Sequence, residues 1–419
     1  MAGNTQKLDV MVLGAGIVGV CAALHLQARG RSVALVDRGE PGGETSHGNA
    51  GLIERASVIP YAFPRDLATL LGYATNRSVA VRYAPMFLAW KLPWLARYWW
   101  HSQPKRLNAA AREMLPLIEL CVSEHERFEG PSGTGPLMRR EGWIELYHSS
   151  RAFAEAVRVA AGLGEYHLKY DVLTAGDLQR REPSLSGTLA GAVHWRDPMT
   201  VSDPGAVTRA YAKLFTERGG QIVKGDAQSL TQENGGWKIG DAGSDLHAHE
   251  AVIALGPWSA DLYQRLGYRF PLAYKRGYHM HYEALGGAAL HHPVCDAQSG
   301  FVLSPMARGI RLTTGIELAD RDAPSGDWQL KQAEKIARRI FPLGKALDPV
   351  AWRGSRPCLP DMKPIIGKAP RHDGLWFAFG HAHHGFTLGP VTGRLLAEMM
   401  IGEKTFTDPL PYAAERFGR

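Results

Sequence analysis

The chain has 419 residues, 45% hydrophobic and 21% charged, with 48 Lys and Arg against 41 Asp and Glu, a formal charge of +7. That length fits two or three domains, or one nucleotide-binding domain with a large insertion, and the balance excludes wholesale disorder. The basic residues come as scattered pairs (Arg139-Arg140, Arg180-Arg181, Arg338-Arg339) with no long run, which argues against a nucleic-acid partner and leaves an acidic small molecule or an anionic surface.

No apolar run reaches the ~18 residues of a spanning helix. The polar stretch Met1 to Val10 lacks a secretory core. Cys21, Cys121, Cys295 and Cys358 form neither a CxxC pair nor a disulfide framework, and the chain reads as cytoplasmic.

Val10 to Leu13 predicts a buried parallel strand, apolar on both faces. It runs into Gly14-Ala15-Gly16-Ile17-Val18-Gly19, then into a helix carrying Val20, Ala23, Leu24 and Leu26 that closes at Gly30. A second strand, Ser32 to Val36, ends in Asp37. Gly14 permits the tight turn, Gly16 the approach of a pyrophosphate, and Gly19 the close packing of helix on strand. The helix N-terminus suits phosphates and Asp37 suits ribose hydroxyls, which disfavours a 2′-phosphate and points to FAD or NAD.

Arg38-Gly39-Glu40 follows, and then a small, polar, glycine-studded loop from Glu44 to Ile53 suited to close approach of a flat ring. Pro85 to His101 holds Trp90, Trp94, Trp99 and Trp100 among Lys91, Arg97, Lys105 and Arg106. A kinked helix is expected there, with Phe87, Trp90, Trp94 and Tyr98 on one face. Tryptophan beside snorkelling cations fits an interfacial membrane element, and a packed helix of a substrate domain is the other reading.

A helix is expected over Ala206 to Arg218, and β-like pieces at Gln221 to Val223, Ala227 to Leu230 and Trp237 to Ile239, with Asn234-Gly235-Gly236 as a hairpin turn. Ala251 to Ala254 reads as a second buried strand delivering Gly256. Tyr274 to Glu283 and Phe301 to Ile316 read as alternating strands of a roof over a substrate. After Arg353 to Gly367 come a strand, Leu375 to Phe379, the stretch Gly380 to Pro390, and a closing helix from Val391 to Met400. The 17 histidines show no HExxH-type spacing, and no metal is expected.

Taken in order, the N-terminal fingerprint, TSxxNAG at Thr45 to Gly51, VIALGPWS at Val252 to Ser259, RPxxPDxxPxIG at Arg356 to Gly367 and the GH…G…GP stretch from Gly380 resemble the FAD-dependent D-amino-acid oxidase superfamily. The closest resemblance is to bacterial D-amino-acid dehydrogenases, over nearly the whole chain. It implies an α/β fold: an FAD-binding Rossmann-like three-layer (ββα) domain intertwined with an α+β substrate domain. The expected division is 1–85, 150–262 and 350–419 for FAD, and 86–149 and 263–349 for the substrate.

The resemblance implies non-covalent FAD, held by Gly14, Gly16, Ile17, Val18, Gly19, Asp37 and Arg38, by Thr45, Ser46, Asn49, Ala50 and Gly51, by Ala227 and Gly256, and by Gly380, His384, Gly385, Phe386 and Thr387. A covalent link through Cys358, used by some sarcosine-oxidising relatives, is not expected in this register. Arg356 matches the family's carboxylate anchor, a role suited to a guanidinium fork. Tyr274, Tyr278, His47 and His383 are the other candidate substrate contacts, His383 standing where some relatives use a second Arg.

The implied reaction is oxidative deamination of a D-amino acid, with hydride passing from Cα to flavin N5 and no general base from the protein. The products are a 2-oxo acid and ammonia, and the electrons go to a quinone or other acceptor, with peripheral membrane contact through 85–101. The alternatives are oxidation of a secondary amine (D-proline, hydroxyproline or sarcosine) and, more remotely, an FAD-dependent tRNA-modifying protein.

Overall fold

The computed structural model describes residues 8–233, 235–241 and 244–418. Among them, two large sheets carry the architecture. The first is centred on Leu8–Leu13, with Val33–Asp37 and Ser244–Ile253 as parallel neighbours and Gln221–Lys224 beyond Val33–Asp37. Ile253 pairs with Leu13 on one side and Phe377 of Leu375–Phe379 on the other. That pairing brings the C-terminal motif beside the N-terminal fingerprint.

Val10 to Leu13 is fully buried because each face of the strand has its own cover. Val10 and Val12 pack against the helices Ile17–Gln27, Pro104–Ser132, Pro204–Glu217 and Gly385–Met400. Met11 and Leu13 pack against Trp237 and Ile239 of the Gly236–Asp241 strand and against the helix Ser259–Arg265. Helices, parallel sheet and antiparallel hairpin make the three layers.

The second sheet is organised on Ala273–Ala284, which pairs antiparallel with Trp352–Cys358 and Leu343–Ala346 on one side and Gly309–Thr313 and Ile316–Leu318 on the other. It continues through Phe301–Met306, Val294–Asp296, Trp143–Tyr147 and Gly191–Trp195 to Tyr170–Thr174. The expected domain boundary therefore shifts. Tyr170–Thr174 and Gly191–Trp195 were expected with the FAD part, yet their backbones complete the substrate sheet, while Trp352–Cys358 serves it from a segment expected on the FAD side.

Some local expectations also change. Ala227–Ser229 is a single 3₁₀ turn, not a strand, because the Asp226 carboxylate accepts the Gln228 N–H at 2.9 Å. Asn234 of the expected hairpin turn lies outside the described residues, and its flanks Thr231–Glu233 and Gly236–Asp241 pair antiparallel. The closing helix begins at Gly385 and runs through Pro390. Proline offers no N–H to the Phe386 carbonyl, and the buried His125 Nε2 donates to it instead at 2.9 Å.

The 85–101 segment is two helices, Pro85–Trp90 and Leu92–His101, broken at Lys91, with Pro93 in the first turn of the second. The break rotates Trp90 off the expected face. Phe87, Trp94 and Tyr98 are buried, whereas Trp90 is 74% exposed. No helix among the described residues is long and apolar enough to cross a membrane.

Candidate active site

A cavity of about 1180 Å³ opens at the carboxyl ends of the parallel strands and extends to the second sheet, where ligands of open α/β sheets bind. Gly14, Gly16, Ile17, Val18, Asp37 and Arg38 line one end. Gly14 has φ +107°, and a Cβ there would lie 2.5 Å from the Ala254 carbonyl oxygen. Gly19 sits behind the wall, where a Cβ would meet the Gly14 carbonyl at 1.8 Å. The helix Ile17–Gln27 starts without an acid in its first turn; its Ile17 N–H is held by the Ser46 hydroxyl, and the positive end suits an anion.

The Asp37 carboxylate is fixed at the strand end, accepting the Ala15 N–H at 2.6 Å and the Gly39 N–H at 2.9 Å. Its remaining lone pairs are available to hydroxyl donors. Arg38 lies over the Trp258 ring at 4.5 Å and pairs with Glu44 at 3.1 Å. Ala227 and Gly256 complete this end. A side-chain-free turn, a helix start with no acid beside it and an anchored carboxylate together fit an adenine dinucleotide.

The Thr45–Gly51 loop forms the middle wall, with Thr45, Ser46, Asn49 and Ala50 facing the cavity. Ser46 Oγ accepts the Ile17 N–H at 3.0 Å, and Asn49 Oδ1 accepts the N–H groups of Gly51 and Leu52 at 2.8 and 3.2 Å. Gly51, Gly380 and Thr387 stand just behind the wall; Thr387 Oγ1 accepts the Glu54 N–H at 3.1 Å and donates to the Leu52 carbonyl. The start of the Gly385–Met400 helix contributes His384, Gly385 and Phe386. Cys358 is buried and absent from the wall, and burial raises its thiol pKa, so it is not set up as a nucleophile.

The loop is clamped by a chain of three side chains from the second sheet and its flank. Asp348 accepts from His281 Nδ1 at 2.7 Å, and His281 Nε2 accepts from Arg311 Nε at 3.0 Å. Arg311 Nη1 then donates to the His47 and Asn49 carbonyls. Burial brings the Arg311 pKa down to about 10.

On the side of the second sheet, two cross-strand rungs line the cavity, Lys275 opposite Arg356 and Gly277 opposite Gly354, with Trp352 beside them. Both Arg356 and Lys275 face the cavity, and neither has a carboxylate oxygen within 4.0 Å among the described residues. His383 lies beside them, with Tyr61 against its ring at 4.8 Å. Burial first, and then the charges of Arg356 and Lys275, push its pKa well down, so it is a neutral imidazole.

Two expected contacts are placed elsewhere, and a third, Tyr278, reaches the cavity with its hydroxyl already engaged. Tyr274 has the opposite parity from Lys275 and packs in the core with Phe270 and Phe379, because alternate residues of a strand face opposite sides. Tyr278 reaches the cavity edge, but its hydroxyl donates to Glu317 at 2.6 Å and accepts from Arg276 at 3.1 Å, which leaves it no proton for a carboxylate. His47 faces a separate cavity of about 480 Å³ shared with His279 and Trp352; only its backbone belongs to the loop that Arg311 holds.

Sequence reading missed Lys275, Tyr61 and Glu54, all on the cavity wall. Glu54 stands three residues after the TSxxNAG motif, and burial lifts its pKa to about 7 against the opposing Ser57 hydrogen bond. A carboxyl raised in the fold stabilises fully below its unfolded pKa of 4.5, and that contribution is lost as pH climbs to about 7. Glu54→Gln should therefore gain in unfolding midpoint over the native holoenzyme between pH 5 and pH 8. A midpoint difference that stays flat over this range would contradict a buried, raised Glu54.

Residues 9–399 match the DAO family, described as FAD dependent oxidoreductase. The chain belongs to that family. Its cofactor is FAD, and the cradle described above is the site that fits it. The chain is 29% identical to a D-amino-acid oxidase of Bradyrhizobium diazoefficiens, over 97% of this chain and 98% of the relative. It is 28% identical to a D-amino acid dehydrogenase of Chromohalobacter salexigens, over 98% and 100%. Among solved structures, a glycine oxidase from Geobacillus kaustophilus superposes with a TM-score of 0.75 at 21% identity, over 97% and 98% of the two chains, a likeness that speaks for the fold alone. The DAO-family chain is thus an FAD-dependent oxidoreductase.

Proposed function

We propose that this DAO-family flavoprotein oxidatively deaminates D-amino acids to 2-oxo acids and ammonia, passing the electrons to a quinone or another acceptor. The observation that carries this reading is Arg356: a guanidinium on the cavity face of the second sheet, across from the FAD cradle, with no acidic partner among the described residues. Such a fork suits a substrate carboxylate. FAD held in that cradle would supply a two-electron acceptor for the α-hydrogen. The protein's own part is to fix the carboxylate, to keep His383 neutral beside it, and to hold the Thr45–Gly51 loop rigid through Asp348, His281 and Arg311. Loss of one amine proton and addition of water to the imine complete the balance.

The acceptor reading draws on the surface around 61–101. Leu67, Leu71, Met86, Trp90, Leu92, Trp99 and Trp100 are all exposed there. Arg65 and Arg106 lie over the rings of Trp99 and Trp100 at 4.0 and 4.5 Å. An apolar surface with cations at its edge favours peripheral contact with an anionic bilayer, where a quinone is dissolved.

The test is anaerobic mixing of the holoenzyme with single D- and L-amino acids, proline-like compounds and sarcosine, followed by flavin absorbance. Bleaching by D-amino acids, reversed faster by a quinone in anionic vesicles than by air, is the expected result. Bleaching by secondary amines alone would make the chain a secondary-amine dehydrogenase or oxidase. No bleaching by any of them would overturn the amino-acid reading.

A further inference from the structure

Lys275 and Arg356 are directly opposed across an antiparallel pair, so their Cβ atoms lie on one face at the distance where like charges repel. Lys275 is only 5% exposed. A buried cation beside a half-buried one, without an acid to share, is costly unless an anion completes the site.

Their head groups diverge. Arg356 leans along its strand over Gly277, where an added Cβ would lie 2.7 Å from Nη1, and its Nη1 reaches the Arg276 carbonyl at 3.4 Å. Lys275 turns the other way, its Nζ donating to the Tyr98 hydroxyl at 2.7 Å and lying 4.2 Å from the Tyr98 ring centroid. Tyr98 in turn donates to the Tyr61 carbonyl, so Lys275 is tied to the wall made by the Leu92–His101 helix. The ammonium has donors left beyond Tyr98, and the ionisable His383 and Cys358, which both cations influence, are neutral groups whose pKa values burial shifts away from their charged forms.

A single carboxylate would meet one of these diverging heads and leave the other without a counter-charge. From this geometry we infer that the site takes amino acids with a second carboxylate, of the aspartate or glutamate type, Arg356 holding the α-carboxylate and Lys275 the side-chain carboxylate. This rests on the amino-acid oxidation proposed above. The electron and proton balance is unchanged, since the second carboxylate stays intact in the 2-oxo diacid product. The pair also accounts for where the chain places a lysine that binary patterning alone would leave apolar: the strand is buried on both faces at this point.

Two measurements on the holoenzyme separate this inference from its parent. In the first, thermal unfolding is followed with succinate or glutarate and with butyrate, none of which can be oxidised as an amine. The diacids should raise the midpoint more than the monoacid, as ligand linkage requires. Lys275→Met should erase that excess, and Lys275→Arg should keep it. No excess in the native protein, or an excess that survives in Lys275→Met, overturns the second subsite. The native comparison decides the matter even if the Met variant does not fold.

The second measurement is anaerobic flavin reduction by aspartate and glutamate against asparagine, glutamine and alanine, in both enantiomers. The acids should reduce the flavin at roughly 10- to 100-fold lower concentration than their amides, the worth of one charge-assisted hydrogen bond. Equal response to acids and amides overturns the diacid preference and leaves the amino-acid reading standing. A diacid midpoint excess with no reduction by any amino acid overturns the amino-acid reading and leaves the two-cation subsite standing.

Discussion

Arg356→Met is expected to lower kcat/KM for the amino-acid substrate by a factor on the order of 10²–10³ while FAD stays bound. Truncating one partner of a buried, hydrogen-bonded charge pair costs about 2–5 kcal/mol, and each ~1.4 kcal/mol is tenfold in rate. The loss should fall on both kcat and KM, because the guanidinium orients the substrate as well as binding it. Arg356→Lys should recover part of the affinity but less of kcat, since an ammonium is a point charge without the planar fork. Cofactor retention is expected because Arg356 sits on the second sheet, apart from the Gly14–Gly19 turn and Asp37. Steady-state kinetics with the 450 nm flavin band as the cofactor readout would check both halves. A variant with full activity would mean that the carboxylate is held elsewhere, with Lys275 the first alternative.

The contrast between what the sequence made legible and what it did not follows from range and parity. The turn after Leu13 could be read directly because its requirements are local: a positive φ at Gly14, contact of Gly19 with Gly14, and an acid at the end of the next strand. The RP motif drew attention to Arg356, and that side chain does line the cavity. The roof strand could not be read so simply. Ala273–Ala284 is covered on both faces, so no alternation marks which side looks into the cavity. The tyrosines drew attention, yet Tyr274 and Arg276 share the parity that faces away, and Lys275 has the one that faces in.

Long-range geometry hid the rest. His47 lies in a motif that belongs at the cofactor, but its side chain turns towards His279 and Trp352 because those side chains arrive from the second sheet. The placement of Tyr170–Thr174 and Gly191–Trp195 depends on strand pairing across the chain, which composition does not encode. Glu54 carries no pattern at all. Its raised pKa comes from burial that exists only once the Thr45–Gly51 loop, the Gly385–Met400 helix and the second sheet meet.

Gly14→Ala should have the largest effect on the protein itself. Two independent costs meet at this residue. At φ +107° a side chain is strained on any backbone, a penalty of order 1–3 kcal/mol. The added Cβ would also lie 2.5 Å from the Ala254 carbonyl oxygen and 2.9 Å from its carbon, and backbone atoms of the buried Ser244–Ile253 strand's end cannot swing aside as a flexible side chain would. The relief available is a shift of the turn away from Ala254. That shift would pull the Gly16–Ile17 start of the helix out of register with Ser46, whose Oγ holds the Ile17 N–H at 3.0 Å, and would move the Ala15 N–H off Asp37. The expected product is a folded or partly folded chain that purifies colourless, with little 450 nm absorbance and a lowered unfolding midpoint that added FAD does not restore. Gly72→Ala serves as the control, since a Cβ there meets nothing within 4 Å and the residue is helical; that variant should keep its flavin. Full flavin content in Gly14→Ala would mean that the turn tolerates a side chain, and that the phosphates are held by some other part of the cradle.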